Sequence, residues 1–204
     1  MNINKIISRQ SFFHILLAGI SVCLIPGILG AQTTYKSSAA KGKNIQVMGS
    51  SNVHDWTMTS AGITSQGIFT FDKNNTLQKI SAFDFMMEAK SLKSGHSSMD
   101  ARTYKAMKAD VNPKILYKLS SAVISQVKEN EYSVKSTGNL TIAGETKLIQ
   151  MNLRLVVNPD KTLSCTGSEK IKLTDYNINP PSFMMGAMKV GNDLTIAINL
   201  LYKS

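Results

Sequence analysis

An all-β fold, an antiparallel up-and-down barrel of about eight strands with one short helix, is what three features of this sequence predict. Apolar and polar residues alternate through segment after segment, the period of a strand with one buried face. Short polar turn sequences separate these segments, so neighbours should pair antiparallel. One stretch alone breaks the alternation with helical spacing.

Alternation begins near Asn44, where Ile45, Val47 and Val53 are set against Gln46, Met48 and Asn52. It recurs in Gly67–Phe71, Phe83–Met87, Ile115–Leu119, Tyr132–Val134, Leu140–Ile142, Ile149–Leu155, Leu163–Leu173 and Leu194–Leu200. Turns are expected at Asp72–Asn75, Lys128–Asn130, Ala143–Glu145, Asn158–Asp160 and Gly191–Asp193, each rich in Asn, Asp or Gly. Ser97 to Ala109 reads as the helix. Ser97 precedes Asp100 by three residues, a loose capping box, and Met99, Thr103 and Ala106 share a face with Tyr104 and Met107 beside them, until Asn112-Pro113 stops the run. Asn177 to Lys189, with Pro180-Pro181 and a Met-rich tail, is expected to be a long loop covering one barrel end. No internal repeat is visible. Such a meander could form a sandwich or a barrel; closure removes exposed strand edges, which favours the barrel.

The 204 residues suit one domain, and 43% hydrophobic with 18% charged residues can bury a core. Residues 1–31 read as a secretory signal peptide: Lys5 and Arg9 form a positive start, Phe12 to Leu29 an apolar stretch, and cleavage is expected after Ala31. Pro26 and Ser8 to Ser11 argue against an uncleaved anchor helix, and Cys23, following Val22 in mid-segment, does not suit lipid modification. Residues 32–43 are expected to be a flexible linker, with the barrel domain at 44–204. Cleavage would remove Lys5 and Arg9 and take the formal charge from +10 to +8. It would also leave Cys165 as the one cysteine, so no intramolecular disulfide is expected. The lysines are scattered singly along the chain rather than gathered into a basic stripe, which argues against nucleic acid.

No catalytic constellation is evident. Gly95-His96-Ser97-Ser98-Met99 lacks the second glycine of a nucleophile elbow. His54 and Asp55 would point to opposite faces of an extended strand, whereas His54 shares a face with Trp56. CxxC, HExxH and calcium-loop patterns are missing, and Met184, Met185 and Met188 fit apolar filling better than a soft-metal site. No catalytic residue, metal or cofactor is expected. What remains is a set of alternating apolar residues, with several Phe and Met, suited to lining a barrel wide enough for one ligand; the same residues could also pack as solid core.

Several stretches together resemble the YceI-like family of exported lipid- or polyisoprenoid-binding proteins. They are Ser51-Asn52-Val53-His54-Asp55-Trp56, Gly67-Ile68-Phe69-Thr70-Phe71, Ser91 to Asp100 with Asn112-Pro113-Lys114-Ile115, and above all Tyr132-Ser133-Val134 through Gly138 to Lys147. Pro181, Gly186, Lys189 to Asn192 and Leu194 to Ile196 complete the resemblance, which covers about Ile45 to Tyr202. It implies a lipocalin-like barrel that holds a long isoprenoid-type chain without catalysis. One departure falls at the helix start, where Ser97-Ser98-Met99-Asp100 and then Arg102 replace the commoner Arg-Asp and His-Leu pairs, so a head-group contact made there should differ.

The expected ligand-lining residues are Phe69, Phe71, Phe83, Phe85, Met87, Leu140, Ile142, Met151, Leu153, Ile196 and Ile198 on strands. Tyr104 and Met107 join them from the helix, and Phe183 and Met184 from the long loop, with Lys90 and Lys93 as candidates to attract a phosphate head. The expected function is transport or sequestration of an isoprenoid or other long-chain lipid in the periplasm or outside the cell. A homodimer is the further partner to consider; nucleic acid and stable membrane insertion are not expected. The rival readings are an eight-stranded integral outer-membrane barrel and a ligand-free structural or stress-response barrel.

Overall fold

Alternation with a period of two builds almost the whole chain. The computed structural model describes residues 31–40, 42, 44–183 and 185–204, so the expected signal segment, apart from Ala31, and Met184 lie outside the described residues. The strands are β1 (Ala31–Ser37), β2 (Asn44–Ser51), β3 (Asp55–Ser60), β4 (Ile63–Phe71), β5 (Leu77–Glu88), β6 (Lys114–Lys128), β7 (Glu131–Ile142), β8 (Glu145–Val157), β9 (Leu163–Lys172), β10 (Ser182–Phe183) and β11 (Met188–Lys203). Among the described residues one α-helix, α1 (Ser97–Ala106), and two short 3-10 turns, Ala89–Ser91 and Leu173–Tyr176, interrupt them.

Eight strands close a ring in the order β1-β4-β5-β6-β7-β8-β9-β11, and β11 returns to β1 through Lys36↔Lys203 and Ser37↔Tyr202. Closure leaves β11 with an edge to share: its last residues pair β1, while Val190 to Asn199 pair β2, and the β2–β3 hairpin extends the wall at that end. A single bridge between Thr59 and Lys93 ties β3 to the segment before α1. On β7 the inward residues Tyr132, Val134, Ser136, Leu140 and Ile142 are buried, while Ser133, Lys135 and Asn139 are exposed, as a half-buried strand requires.

Three expectations are corrected. Residues 32–43 are not a linker throughout: Ala31–Ser37 forms β1, a wall strand paired with β4 from Ala31↔Phe71 to Lys36↔Gln66. Its small polar residues conceal the pattern because only Tyr35 is buried, while backbone pairing needs no apolar side chain. Gly191–Asp193 is not a turn; it lies inside β11, where the register against β2 shifts between Val190 and Leu194. The helix ends at Ala106 rather than running to Ala109, because Lys108 turns left-handed at φ 50°. It begins at Ser97 as expected, but His96 is its cap residue, and Asp100 accepts from the Ser94 N–H (2.8 Å) and hydroxyl (2.7 Å) instead of completing a capping box with Ser97.

One barrel end is sealed. Tyr35, Phe69, Phe71, Leu77, Tyr132, Leu163 and Tyr202 are buried there. Tyr35 packs edge-on against Phe69 at 5.4 Å, and its hydroxyl donates to the Lys161 carbonyl (3.2 Å). β5 and β6 pair only from Asp84↔Lys118 to Glu88↔Lys114. Towards the sealed end, beyond that pairing, the Leu77 N–H of β5 donates to the hydroxyl of Tyr132 on β7 (3.0 Å).

Candidate functional site

Above the seal the inward residues do not meet in the middle. They enclose a cavity of about 160 Å³ whose wall is almost wholly aliphatic and aromatic. Val47, Leu92, Met107, Leu173, Ile178 and Leu194 line both this cavity and a mouth cavity of about 370 Å³ at the opposite end, so these six side chains stand between the two.

Four elements build the mouth. α1 presents Met99, Thr103, Ala106 and Met107, residues on one helical face, with Ser98 and Arg102 beside them. The β2–β3 hairpin contributes Ser51, His54 and Trp56. Its position is set by the Trp56 indole, which donates to the Ser50 carbonyl (3.1 Å) and lies so close over Gly49 that a Cβ there would sit 2.3 Å from the ring. β10 and the start of β11 supply Phe183, Met188 and Val190. Asn52 fastens this segment: its amide donates to the Ala187 carbonyl (2.8 Å) and its oxygen accepts from the Lys189 N–H (2.8 Å). Arg102 and Phe183 close on each other across the opening, the guanidinium carbon 4.4 Å from the ring centroid.

The electrostatics of the two cavities differ. The mouth is lined by Arg102, His54 and His96 and by no carboxylate, so its rim favours a negative or hydrogen-bond-accepting group. Within the barrel Glu169 is the one acidic lining residue, and burial raises its pKa. The Cys165 thiol, buried on the same strand, is pushed up to about 12 by burial and is therefore an inert, protonated side chain. Among the described residues no three His, Cys, Asp or Glu side chains gather as metal ligands would.

Of the residues expected to line the interior, Phe69, Phe83, Phe85, Met87, Met107, Leu140, Ile142, Met151, Leu153, Ile196 and Ile198 do so. Phe71 does not: it lies below the cavity, within the seal, its ring 6.1 Å from that of Tyr35. Tyr104 also lies elsewhere, because its hydroxyl is spent on the Leu92 (2.6 Å) and Lys90 (3.0 Å) carbonyls, anchoring α1 to the chain before it. Phe183 belongs to the mouth rather than the interior. Lys90 pairs with Asp110, and Lys93 lies over the Tyr104 ring and near Asp100; neither lines the mouth. Tyr117, Glu169 and Tyr176 were not singled out in the sequence, whereas Arg102 was noted there as a departure at the helix start and His96 only within the incomplete nucleophile motif. Arg102 was legible in principle, since it stands three and four residues from Met99 and Ala106 on a helix.

A closed antiparallel barrel with an apolar interior and a polar-rimmed mouth is an architecture able to enclose a ligand within its walls. The chain belongs to the YceI-like domain family, whose model matches residues 36–202. Among curated proteins none matches it. Among solved structures it is similar to a polyisoprenoid-binding domain from Saccharophagus degradans, at 11% identity and a TM-score of 0.62, covering 83% of this chain and 98% of that one. BcnA from Burkholderia cenocepacia is 18% identical with a TM-score of 0.59, over 79% of this chain and 96% of that one. The Campylobacter jejuni YceI protein is 17% identical with a TM-score of 0.52, over 69% and 81%. At these identities the similarity is one of fold.

Proposed function

We propose that the protein carries or sequesters a long-chain amphiphile, of isoprenoid or similar type, with the chain inside the barrel and the head at the mouth beside Arg102, His54 and His96. The observation that carries this reading is an apolar interior that adjoins, through six shared lining residues, a mouth lined by Arg102, His54 and His96 and by no carboxylate. The driving force is transfer of apolar area out of water: a chain burying about 500 Å² gains about 12 kcal/mol before ordering costs are subtracted. The polyisoprenoid-binding neighbour supports the choice of ligand class.

The compartment proposed is the periplasm or the exterior, reached through the signal-like residues 1–31. Cleavage after Ala31 would leave Gln32 to Ser37 of β1 in place, so the barrel seam would survive it. The burial pattern favours a water-facing barrel over an outer-membrane one. The outward residues of β7 are Ser, Lys, Thr and Asn, whereas a membrane barrel turns its apolar residues outward.

Native mass spectrometry of protein purified from its own host, before and after organic extraction, tests the reading. A copurifying lipid of defined mass is expected, and so is its loss in Phe85→Asp, which sets a charge on the cavity wall. Folded Phe85→Asp protein that still carried the lipid would refute the interior site. Osmotic-shock fractionation with N-terminal sequencing tests the compartment; intact Met1 in the cytoplasmic fraction would refute it.

A further inference from the structure

The interior is apolar except at one depth. Leu153 pairs with Gly167, and two residues nearer the mouth on each strand stand Met151 and Glu169; Met151 in turn pairs with Ser136. Ser136 and Glu169 therefore occupy one level of the β7–β8–β9 wall, and both line the cavity. Tyr117 reaches that level from β6. Its ring passes over Gly138, where a Cβ would lie 2.6 Å from the phenol oxygen, so only glycine admits it. Beside it the Ser136 hydroxyl donates weakly to the Met151 carbonyl (3.4 Å). Tyr176 arrives from the other side: β8 and β9 pair only from Leu153 to Val157, and the 3-10 turn Leu173–Tyr176 packs against both strands.

Two of these side chains are poorly satisfied polar groups. Tyr176 is 2% exposed and Tyr117 6%, and both line the cavity; among the described residues the Tyr176 hydroxyl has no hydrogen-bond partner, and the Tyr117 hydroxyl has only the neighbouring Ser136 hydroxyl, outside good hydrogen-bond geometry, to turn to. Buried hydroxyls are ordinarily satisfied, because an orphan loses its water without replacement. Tyr202, a third buried phenol of the interior, shows the ordinary case, sharing a hydrogen bond of 3.1 Å with Ser65. Glu169 adds an acidic group with no basic side chain lining the cavity around it. Its negative charge and that of Asp175, after burial itself, help push the Tyr176 phenol up to about 12, so that hydroxyl stays protonated and a donor.

Resting on the carrier reading above, we propose that Tyr176, Tyr117 and Glu169 form a polar station at mid-depth that accepts an oxygen set along the ligand's chain, so that the preferred cargo is a keto- or hydroxyl-bearing lipid rather than a plain hydrocarbon tail. The phenols donate to a ligand carbonyl, and Glu169 accepts from a ligand hydroxyl. Glu169 stands three residues before the end of β9 at Lys172, next to Leu173, which lines both cavities, or about 10 Å below the mouth at about 3.3 Å per residue. A chain whose head rests at the mouth brings its middle carbons there.

Competitive displacement of a fluorescent fatty acid from the delipidated full chain tests this, with octadecanoate, 10-oxooctadecanoate and 12-oxooctadecanoate as probes. At least one oxo acid is expected to bind about 5- to 10-fold tighter than octadecanoate, the worth of one or two recovered hydrogen bonds. That ratio should fall towards one in Tyr176→Phe, or in Tyr117→Phe if the first variant does not fold. Equal affinity of wild type for all three probes would overturn the station while leaving the carrier reading intact, as would a preference undiminished in both variants. Failure of every probe to bind would overturn both.

Discussion

The two ends of the barrel use the same residue types to opposite ends. At the sealed end Phe69, Tyr132 and Tyr202 are each 1% exposed and Leu163 is fully buried, and hydrogen bonds from Tyr35 and to Tyr132 span the seams. At the mouth Trp56, Met99, Phe183 and Met188 are only half-buried, and Met185 is fully exposed. An aromatic residue interlocked on all sides contributes stability; one with a free face offers that face to a ligand. Substitutions at the seal should therefore be read in the unfolding transition, and substitutions at the mouth in the ligand's lifetime.

The largest effect is expected from Leu163→Ala, which removes a fully enclosed side chain and should cost about 3–5 kcal/mol in denaturant unfolding. A loss below about 1 kcal/mol would mean that the seal is loosely packed and the contrast false. Tyr132→Phe keeps the ring but orphans the buried Leu77 N–H, for an expected loss of about 1–3 kcal/mol with ligand dissociation unaltered. At the mouth, Phe183→Ser combined with Met188→Ser should speed lipid release several-fold while costing under about 2 kcal/mol, since each side chain is half-exposed already. Stopped-flow release traces unchanged from wild type, together with a lowered melting temperature, would make these residues a plug.

A smaller effect concerns acid. Glu131, on the hairpin at the sealed end, is hydrogen-bonded first by Arg154 and then by Lys128, which lower its carboxyl from the ordinary 4.5 to about 2. A depressed carboxylate stabilises the fold above its unfolded pKa, so this contribution should fade as pH falls from about 4.5 towards 2. Glu131→Gln should flatten the stability profile in that window; an unaltered profile would show the cluster to be screened by solvent. The smallest effect is expected at Cys165, where reducing agent should leave the melting temperature unchanged and alkylation should wait for unfolding. Rapid labelling of the native protein would reveal an opening of the wall that the static packing does not show.

What could be read from the sequence was what repeats along it. Alternation within each segment exposes one face and buries the other whatever the segment packs against, so the strands, the single helix and most of the interior lining, from Phe69 and Phe83 to Ile196 and Ile198, were legible there. β1 was not, because a strand held by backbone pairing on both sides can be made of Gln, Thr and Lys. Which aromatic residues only seal the barrel and which also line the cavity depends on depth along the axis, and alternation carries no information about depth: Phe69 and Phe71 look alike in the chain and both pack against Tyr35, yet of the two only Phe69 reaches the cavity. The polar groupings likewise belong to the tertiary structure alone. Arg102 meets Phe183 from 81 residues away, and Tyr117, Glu169 and Tyr176 line one cavity only because the register of β7, β8 and β9 and the wedge between β8 and β9 bring them there. Side-chain periodicity is a local property of the backbone, whereas the convergence of distant side chains on one cavity is decided by strand register and barrel closure.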